Sequence, residues 1–383
     1  MCRILVVINN LYLGGIQKSL MNFLANIDDA HQVDLLVFTE EQKFQYDIPC
    51  NVTLIKSPKK MLLLGTKKSD LKFTQKLYKA ILVLKSKVSS ANKVKISLMK
   101  TVKINVVYDI AISYTHDVSD KSISVGVNDF VLNCIKAKKK ITFIHTDINQ
   151  NYEYNKRNYS QYAKFDKIIT VSESCKRNVL EKLPHLNGKV IVQYNMLNQN
   201  EILKLADYID PHFDKTFINI VTVARLTSEK GIKRVIEIFN RNRSWLEKIK
   251  WYIIGTGIDK NELVNLVKIY NLEMSIYFLG EMKNPYPYIK NAQYFLLPSH
   301  YEAAPIVFDE CIILKTPILT TKTVSAIEIV NGTNSGYVCE NDDKGIERMI
   351  KALVNYEINV DKFTFNYKSN LERKVNIYEI LEN

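Results

Sequence analysis

Short apolar runs rich in Val and Ile alternate with segments of helical period along nearly the whole chain. Parallel strands buried on both faces have this near-continuous apolar character, and crossover helices must connect them. A polar segment at residues 205–217, which contains Asp210 and Pro211, separates the runs into two series. The first series predicts strands at residues 4–8, 33–38, 52–55, 109–114, 141–145, 167–172 and 189–195. The second predicts strands at residues 218–225, 250–255, 275–280, 293–299, 317–321 and 336–340.

These two series predict an α/β protein with two Rossmann-like, doubly wound domains that face each other across an interdomain cleft. The length of 383 residues agrees, because a single core usually stops growing at ~250 to 300 residues. The predicted domains are residues 1–205 and 206–365, and a final helix at 366–383 is expected to pack back toward the first domain. Ligands of such folds bind beyond the carboxyl ends of the strands, so functional residues are expected just after strands.

The composition excludes several classes of protein. With 46% apolar residues, 12 glycines and 9 prolines, the chain is neither collagenous nor broadly disordered. The six cysteines lie far apart without a C-x-x-C pair, which predicts neither a zinc ribbon nor a disulfide framework. No apolar run reaches the ~18 to 20 residues of a membrane span, and the first residues lack the features of a signal peptide. A cytoplasmic location is expected.

The net charge of +13 comes from one segment. Residues 56–103, called here the Lys-rich segment, contain 14 Lys, no Arg and a single acid, Asp70. The rest of the chain has 39 basic and 39 acidic residues and is formally neutral. An anionic partner is therefore expected to bind at this one place.

Within the Lys-rich segment, residues 71–88 have the pattern of an amphipathic helix. Phe73, Leu77, Ile81, Leu84 and Val88 recur at helical spacing, and lysines occupy another face. Such a helix can lie on an anionic membrane surface. The alternative is an ordinary helix whose apolar face packs on the first domain and whose lysines point into water.

Nucleic acid is not the expected partner of the Lys-rich segment. Base recognition and single-strand stacking favour Arg and aromatic side chains. The segment has no Arg, and its aromatic residues are Phe73 and Tyr78.

The turn after the first predicted strand carries Gly14 and Gly15 immediately before a helix. Glycines at this position let backbone amides approach an anion at the positive end of the helix. The same residues are also compatible with a simple strand-to-helix turn.

Two cations follow the first strand of the second series. Arg225 ends the predicted strand, and Lys230 lies near the first turn of the next helix. A cation at the amino end of a helix opposes the helix dipole, so a compensating anion such as a diphosphate is expected there. Two solvated side chains are the alternative.

Two glutamates follow the strand at 293–299. Pro305 suits a first helical position, which places Glu302 just outside the helix and Glu310 inside it. The two carboxylates then stand ~10 Å apart along the axis. A retaining glycosidase needs its two carboxyl groups at ~5 Å. The wider spacing suits one long ligand held at two points, such as a nucleotide sugar.

The chain resembles family 4 of the retaining glycosyltransferases, which have the GT-B architecture. The resemblance covers most of the chain and is carried by GGIQKSL, VARLTSEKG, IIGTG, FLGEMKNPYPYI and LPSHYEAAPIVFDE. Its most specific mark is the E-x7-E motif from Glu302 to Glu310, in order after Arg225 and Lys230. By this resemblance Glu302 binds sugar hydroxyls beside the anomeric carbon, and Glu310 binds the ribose. Arg225 and Lys230 neutralise the diphosphate.

The resemblance also implies roles for backbone groups around the donor. The amides near Ala304, Pro305 and Ile306 are expected to face the sugar and phosphates. The chain has Ala303 where the family commonly has Gly after the first motif glutamate, which affects the tightness of that turn.

Two further positions carry over from the family pattern. The turn at Gly280, Glu281 and Met282 is expected to lie against the base. His145, in the stretch IHTD, matches an acceptor-side histidine that contacts the sugar.

The resemblance implies a retaining, metal-independent enzyme that transfers a hexosyl group from a nucleoside diphosphate sugar, with UDP favoured over GDP. No cofactor is expected, and no D-x-D metal motif is present. The expected acceptor is a glycan or a lipid-linked glycan of a bacterial surface polysaccharide, and the expected location is cytoplasmic or peripheral on the inner face of the cell membrane. The alternatives are a nucleotide-sugar epimerase of the same fold, a basic nucleic-acid-binding protein and a non-catalytic scaffold.

Overall fold

The structure, a computed structural model, describes residues 1–40, 46–66, 70–102, 104–115, 126–149, 156–367 and 380, without the side chains of residues 156–158. Lys67, Lys68 and Lys103 of the Lys-rich segment lie outside these residues. The chain divides into two compact units. Unit 1 comprises residues 1–196 and 370–383, and unit 2 comprises residues 197–369.

Unit 1 is built on one seven-stranded sheet with the order β3-β2-β1-β4-β5-β6-β7, in which neighbouring strands are parallel. Its strands are β1 (Arg3–Ile8), β2 (Gln32–Val37), β3 (Val52–Ile55), β4 (Val107–Ser113), β5 (Lys136–Ile144), β6 (Lys167–Thr170) and β7 (Val190–Val192). Its helices are α1 (Gly15–Ala25), α2 (Leu62–Gly65), α3 (Phe73–Val88), α4 (Ala91–Met99), α5 (Val127–Cys134), α6 (Lys156–Tyr162) and α7 (Glu173–Lys182).

The apolar runs of unit 1 form strands because both faces of the sheet are covered. Leu5 and Val7 of β1 belong to one apolar cluster, whereas Ile4, Val6 and Ile8 belong to another. Side chains alternate between the two faces of a strand. Burial on both faces therefore requires an apolar residue at every position, which is the pattern of the sequence.

Unit 2 repeats this architecture with a six-stranded parallel sheet of order β10-β9-β8-β11-β12-β13. Its strands are β8 (Ile218–Val223), β9 (Ile249–Ile254), β10 (Ile276–Gly280), β11 (Tyr294–Leu297), β12 (Ile318–Thr321) and β13 (Gly336–Cys339). Its helices are α8 (Gln199–Ala206), α9 (Ile232–Arg241), α10 (Lys260–Ile269), α11 (Tyr286–Asn291), α12 (Ile306–Leu314) and α13 (Asp343–Val354).

The direction of winding reverses once in each sheet. The reversal lies between β1 and β4 in unit 1, and between β8 and β11 in unit 2. Such switch points leave a crevice at the carboxyl ends of the two central strands, where ligands of doubly wound folds bind. The prediction of two parallel, Rossmann-like sheets is confirmed.

Helix α8 belongs to unit 2, although the predicted boundary after residue 205 assigns it to the first domain. The carbonyl oxygen of Leu205 accepts a hydrogen bond from Nδ2 of Asn284 at 2.9 Å, and Asp207 pairs with Lys290. The division between the units therefore precedes the loop at 205–217. Most of the predicted final helix lies outside the described residues, but Ile380 is fully buried in an apolar cluster of unit 1.

The predicted amphipathic helix is present as α3, but its apolar face does not pack on unit 1. The helix buries Leu82, on a different face. The residues of the predicted apolar face, called here the α3 stripe, are exposed: Phe73 by 82%, Leu77 by 58%, Ile81 by 42%, Leu84 by 61% and Val88 by 94%. The alternative in which this face packs on the domain does not hold. None of the helices in the described part of the chain is long and apolar enough to span a bilayer.

Candidate active site

A charged pair lies at the switch point of unit 2, where the loops after β8 and β11 meet. Nζ of Lys230 donates to Oε1 of Glu302 at 2.6 Å. The backbone joins the same two loops, since the amide of His300 donates to the carbonyl oxygen of Glu229 at 2.8 Å. The two residues are 72 positions apart in the sequence, and the β8–β11 pairing of the sheet brings them together.

Gly231 allows this close approach of the two loops. Its φ of +66° lies in the left-handed region, where glycine has no steric penalty. A Cβ at this position would lie 2.0 Å from the carbonyl oxygen of Pro298. The glycine therefore ends the short 3-10 turn Ser228–Lys230 directly against the loop that carries Glu302.

The carboxylate of Glu302 is held from two sides. Oε1 accepts hydrogen bonds from Lys230 and from Oγ of Ser299, each at 2.6 Å. The side chains of Lys230 and Glu302 are only 15% and 9% exposed. Charge-assisted hydrogen bonds shielded from water are stronger than those on a protein surface. The anion beside Lys230 in this structure is thus Glu302, a partner that the sequence did not predict.

Three residues that sequence analysis missed fix the backbone of the loop at 298–300. Arg234 donates to the carbonyl oxygen of Pro298 and to Oδ1 of Asn341. Asn341 donates to the carbonyl oxygen of His300 at 2.7 Å, and Thr321 donates to that of residue 299 at 2.5 Å. In the sequence Arg234 is one of several charges on an amphipathic helix, and nothing marks it as buried.

Arg225 is close to the pair in sequence but has a different partner. Its Nη2 lies 3.3 Å from Oε1 of Glu229, and its side chain is 70% exposed. The structure therefore does not join Arg225 and Lys230 in one cluster. Arg225 presents its guanidinium to solvent at the carboxyl end of β8.

Glu310 lies inside α12 and is almost fully buried. Its Oε1 accepts a hydrogen bond from the hydroxyl of Tyr286 at 3.4 Å, a contact that sequence analysis did not identify. The helix begins at Ile306, and Pro305 is its N-cap residue rather than its first helical residue. Proline suits this place because the amide that it lacks has no partner within the helix. Ala304, Pro305 and Ile306 are half-buried.

The turn at Gly280, Glu281 and Met282 begins at the last residue of β10, two strands from β8. Gly280 has a φ of +80°, and its carbonyl oxygen accepts a hydrogen bond from the amide of Gly255 at 2.7 Å. A Cβ on Gly255 would lie 1.9 Å from the carbonyl oxygen of Ala224. Gly255 therefore lets the loops after β8, β9 and β10 lie side by side. In the sequence, this glycine is the first Gly of the stretch IIGTG.

The glycines predicted to approach an anion lie in unit 1, at the start of α1. The amide of Gly14 donates to the hydroxyl of Tyr46 at 3.2 Å, and that hydroxyl lies 3.0 Å from the carbonyl oxygen of Gly14. Gly15 is exposed at the first position of the helix. In this structure the Gly14 amide is thus hydrogen-bonded to a tyrosine of the same unit.

His145 also lies in unit 1, directly after β5. Its ring stacks on Phe143 with a centroid distance of 5.5 Å and packs against Tyr114 at 4.9 Å. The hydroxyl of Tyr114 is 3.0 Å from Oγ of Ser19. These contacts orient the half-buried imidazole at the carboxyl edge of the sheet.

The chemistry available at the switch point of unit 2 is that of cations and a carboxylate. Among the described residues, no group of three or more His, Cys, Asp and Glu is placed to hold a metal ion. Burial, together with Glu310 and Asp309, raises the pKa of the Cys311 thiol, so it is not a ready nucleophile. Desolvation and the charge of Arg234 lower the pKa of His300, so its imidazole is neutral at pH 7.

The fold and this site point to a class of protein. Over 99% of this chain and 97% of the other, the structure superimposes with a TM-score of 0.69 and 14% identity on S. aureus TarM, solved with fondaparinux, alpha-GlcNAc-glycerol and UDP. This similarity shows that the chain has the GT-B fold of glycosyltransferases.

The sequence comparisons locate the family signal in unit 2. Residues 209–370 match the family described as Glycosyl transferases group 1, so the chain contains a domain of this type. An uncharacterized glycosyltransferase of Methanocaldococcus jannaschii is 29% identical over 43% of this chain and 41% of its own length. The capsular polysaccharide biosynthesis glycosyltransferase CapM of Staphylococcus aureus is 26% identical over 56% of this chain and 60% of its own length. The chain spans about half the length of these curated relatives.

Proposed function

We propose that the protein is a retaining glycosyltransferase that takes a sugar from a nucleoside diphosphate sugar and transfers it to a glycan or lipid-linked acceptor in bacterial surface polysaccharide biosynthesis. The observation that carries this proposal is the Lys230–Glu302 pair at the switch point of unit 2. It combines a shielded cation for phosphate oxygens with a carboxylate for sugar hydroxyls. The Glycosyl transferases group 1 match covers both residues.

The two ends of the proposed donor are assigned to the two glutamates. Glu302 accepts hydrogen bonds from sugar hydroxyls, and Glu310 accepts one from the ribose. The half-buried amino end of α12 lies between them and presents amide groups to the diphosphate. The turn at Gly280, Glu281 and Met282 bounds the base.

The proposed reaction is a front-face transfer. The bond between the anomeric carbon and the diphosphate oxygen breaks, and the acceptor oxygen forms its bond to that carbon on the same face. The acceptor proton passes to the departing phosphate oxygen. Lys230, Arg225 and the start of α12 stabilise the charge on the departing nucleoside diphosphate, which is electrostatic catalysis. His145, in unit 1, is proposed as an acceptor-side residue.

The donor nucleotide is proposed to be UDP, bound without a metal ion. TarM, which shares the fold, was solved with UDP. Arg225 and Lys230 take the charge-neutralising role that a divalent cation has in other sugar transferases. UDP should therefore bind in the presence of EDTA.

Arg225→Ala is expected to weaken UDP binding about tenfold, because it removes a charge-assisted contact. Such contacts contribute ~1.5 to 3 kcal/mol, and the lower end of this range corresponds to a factor of about ten. The arginine side chain is 70% exposed, but the side chain of its partner Glu229 is only 19% exposed, so a small decrease in the thermal unfolding temperature is expected beside the loss of UDP affinity. Isothermal titration calorimetry with UDP and GDP, with and without EDTA, measures the effect.

The matched control is Arg348→Ala, which removes an exposed arginine of the same unit on α13. Its UDP affinity should equal that of the parent protein. A dependence of UDP binding on added Mg²⁺ would contradict the metal-independent site. An unchanged affinity of Arg225→Ala would remove this residue from it.

We further propose that the protein works on the cytoplasmic face of an anionic membrane, bound through the Lys-rich segment. Two observations support this partner. The segment carries the whole net charge of the chain, and the α3 stripe is exposed between lysines. Lys76 and Lys87 are exposed on the same helix, and Lys72 is exposed at its N-cap. Interfacial helices combine such an apolar face with flanking lysines.

Changing Lys59, Lys60, Lys72 and Lys76 together to Gln is expected to lower binding to anionic vesicles at least a hundredfold, since each lysine near an anionic surface contributes ~1 kcal/mol. Co-sedimentation with phosphatidylglycerol vesicles at low salt measures this. Binding of the parent protein should fall as the salt concentration rises, and phosphatidylcholine vesicles should not retain it.

A variant with four exposed lysines of unit 2 changed to Gln has the same net charge and is the control; the positions are Lys215, Lys268, Lys344 and Lys351. It should bind the vesicles as the parent protein does. Equal loss of binding in both variants would show that total charge, and not the Lys-rich segment, is responsible.

A further inference from the structure

A groove of about 810 Å³ runs between α3 and α4 in unit 1. We call it the α3–α4 groove. Pockets that hold organic ligands typically have volumes of ~300 to 1,000 Å³, so the groove is large enough for part of a small molecule. Apolar side chains form most of its wall: Tyr78, Leu82, Leu84, Val88, Val94 and Leu98.

The polar lining of the groove has one sign of charge. Lys60, Lys85 and Lys93 line it, and all three are exposed side chains. No carboxylate belongs to the described residues of its wall. A ligand that matches this surface has an apolar body and an anionic head group.

The groove is continuous with the α3 stripe. Leu84 and Val88 belong to both, and they are 61% and 94% exposed. If the α3 stripe lies among lipid chains, the apolar wall of the groove lies at the same depth in the membrane. The molecules that reach it there in greatest number are the lipids of the bilayer.

We propose that the α3–α4 groove binds one anionic glycerophospholipid of the membrane. An acyl chain lies against the apolar wall, and the phosphate head group accepts hydrogen bonds from Lys85 and Lys93, with Lys60 adding its charge. This inference rests on the proposed membrane attachment and deepens it. Attachment through lysines alone depends on surface charge, whereas a groove recognises the single lipid molecule.

Binding of monomeric lipid, measured without vesicles, distinguishes recognition of a single lipid in the groove from attachment to a charged surface. Isothermal titration calorimetry of the full chain with dihexanoylphosphatidylglycerol, below its micelle concentration, should show binding at one site. Dihexanoylphosphatidylcholine should bind at least about tenfold more weakly, because its ammonium group offsets the charge of the phosphate beside the lysines. Inorganic phosphate, which has no chain, should show no binding at the same concentrations.

Ser97→Trp tests the groove without changing charge or the α3 stripe. Ser97 lines the groove and is exposed, so an indole can fill the space while the core contacts remain. The variant should lose phosphatidylglycerol binding by at least about tenfold. The control Ser160→Trp places the same side chain on an exposed position of α6 and should bind as the parent protein does.

Lys85→Gln combined with Lys93→Gln tests the head-group contacts. Loss of two charge-assisted hydrogen bonds should weaken phosphatidylglycerol binding at least about tenfold, and it should weaken binding of the phosphatidylcholine analogue less, because the ammonium group of that lipid already offsets the phosphate charge. The matched control changes two exposed lysines of unit 1 outside the groove, Lys136→Gln with Lys164→Gln, and should behave as the parent protein.

Three results would overturn the inference. They are equal affinity for the two phospholipids, unchanged binding by Ser97→Trp, and a farnesyl phosphate affinity more than about tenfold above that of phosphatidylglycerol. The last would assign the groove to an isoprenoid phosphate instead of a membrane phospholipid. UDP binding, measured on the same variants, should equal that of the parent protein. Its absence from the parent protein would count against the proposed transferase and not against the groove.

Discussion

Glu302→Gln is expected to lower transfer by about two to three orders of magnitude, the range seen when a group that stabilises a transition state is removed. The amide has the size of the carboxylate and can still accept a hydrogen bond from Ser299. It has no charge to balance Lys230, and it binds sugar hydroxyls more weakly. Release of UDP from the preferred sugar nucleotide measures the loss, and thermal unfolding shows that the variant is folded.

Glu340→Gln is the matched control for this change. Glu340 also pairs with a lysine of unit 2, at 3.5 Å from Lys322, but both side chains are more than half exposed. Exposed ion pairs contribute little to stability. The control should therefore keep the activity of the parent protein. Parental turnover by Glu302→Gln would remove Glu302 from the proposed site.

Gly231→Ala is expected to lower both stability and activity. A left-handed backbone costs a residue with a Cβ ~1 to 2 kcal/mol, and here the added carbon would also lie 2.0 Å from the carbonyl oxygen of Pro298. The two loops must separate, and Lys230 must move away from Glu302. We expect a total loss above ~2 kcal/mol, a lower thermal unfolding temperature and a UDP release rate at least about tenfold lower.

Gly188→Ala separates the steric clash of the added Cβ from the free-energy cost of a left-handed backbone. Gly188 also has a positive φ, +86°, but no atom lies within 4 Å of the position that a Cβ would take. In this control the thermal unfolding temperature should fall only by the amount that the left-handed backbone costs, and the rate of UDP release should not change. An equal drop in unfolding temperature for the two variants would mean that the approach of Gly231 to Pro298 contributes nothing.

The strands were predictable because parallel strands buried on both faces need continuous apolar runs. The start of β5 was missed for the converse reason. Its first residues include Lys136 and Lys139, which have the pattern of a polar loop, but both pair with β4 at the amino edge of the sheet. Backbone pairing there does not require apolar side chains, so the pattern of the sequence carries no signal.

The sequence predicted Lys230 and Glu302 as separate residues, but it predicted neither their contact nor the roles of Ser299, Arg234 and Tyr286. Glu302 was selected because it follows a strand, Lys230 because it lies near the start of a helix, and Glu310 because it completes the E-x7-E motif. The sequence does not show that Lys230 and Glu302 form a pair, because their contact depends on the order of strands in the sheet. Exposure of the α3 stripe was unpredictable in the same way. A packed helix and an unpacked one have the same periodicity, and only tertiary structure distinguishes them.

The way the loop at 298–300 is fastened has a consequence for the evolution and engineering of specificity. Arg234, Asn341 and Thr321 bind carbonyl oxygens, which every amino acid possesses. The exposed side chain of His300 can therefore be replaced without displacing the backbone that carries Glu302. A library of substitutions at this position would vary the surface beside the carboxylate on an unchanged frame.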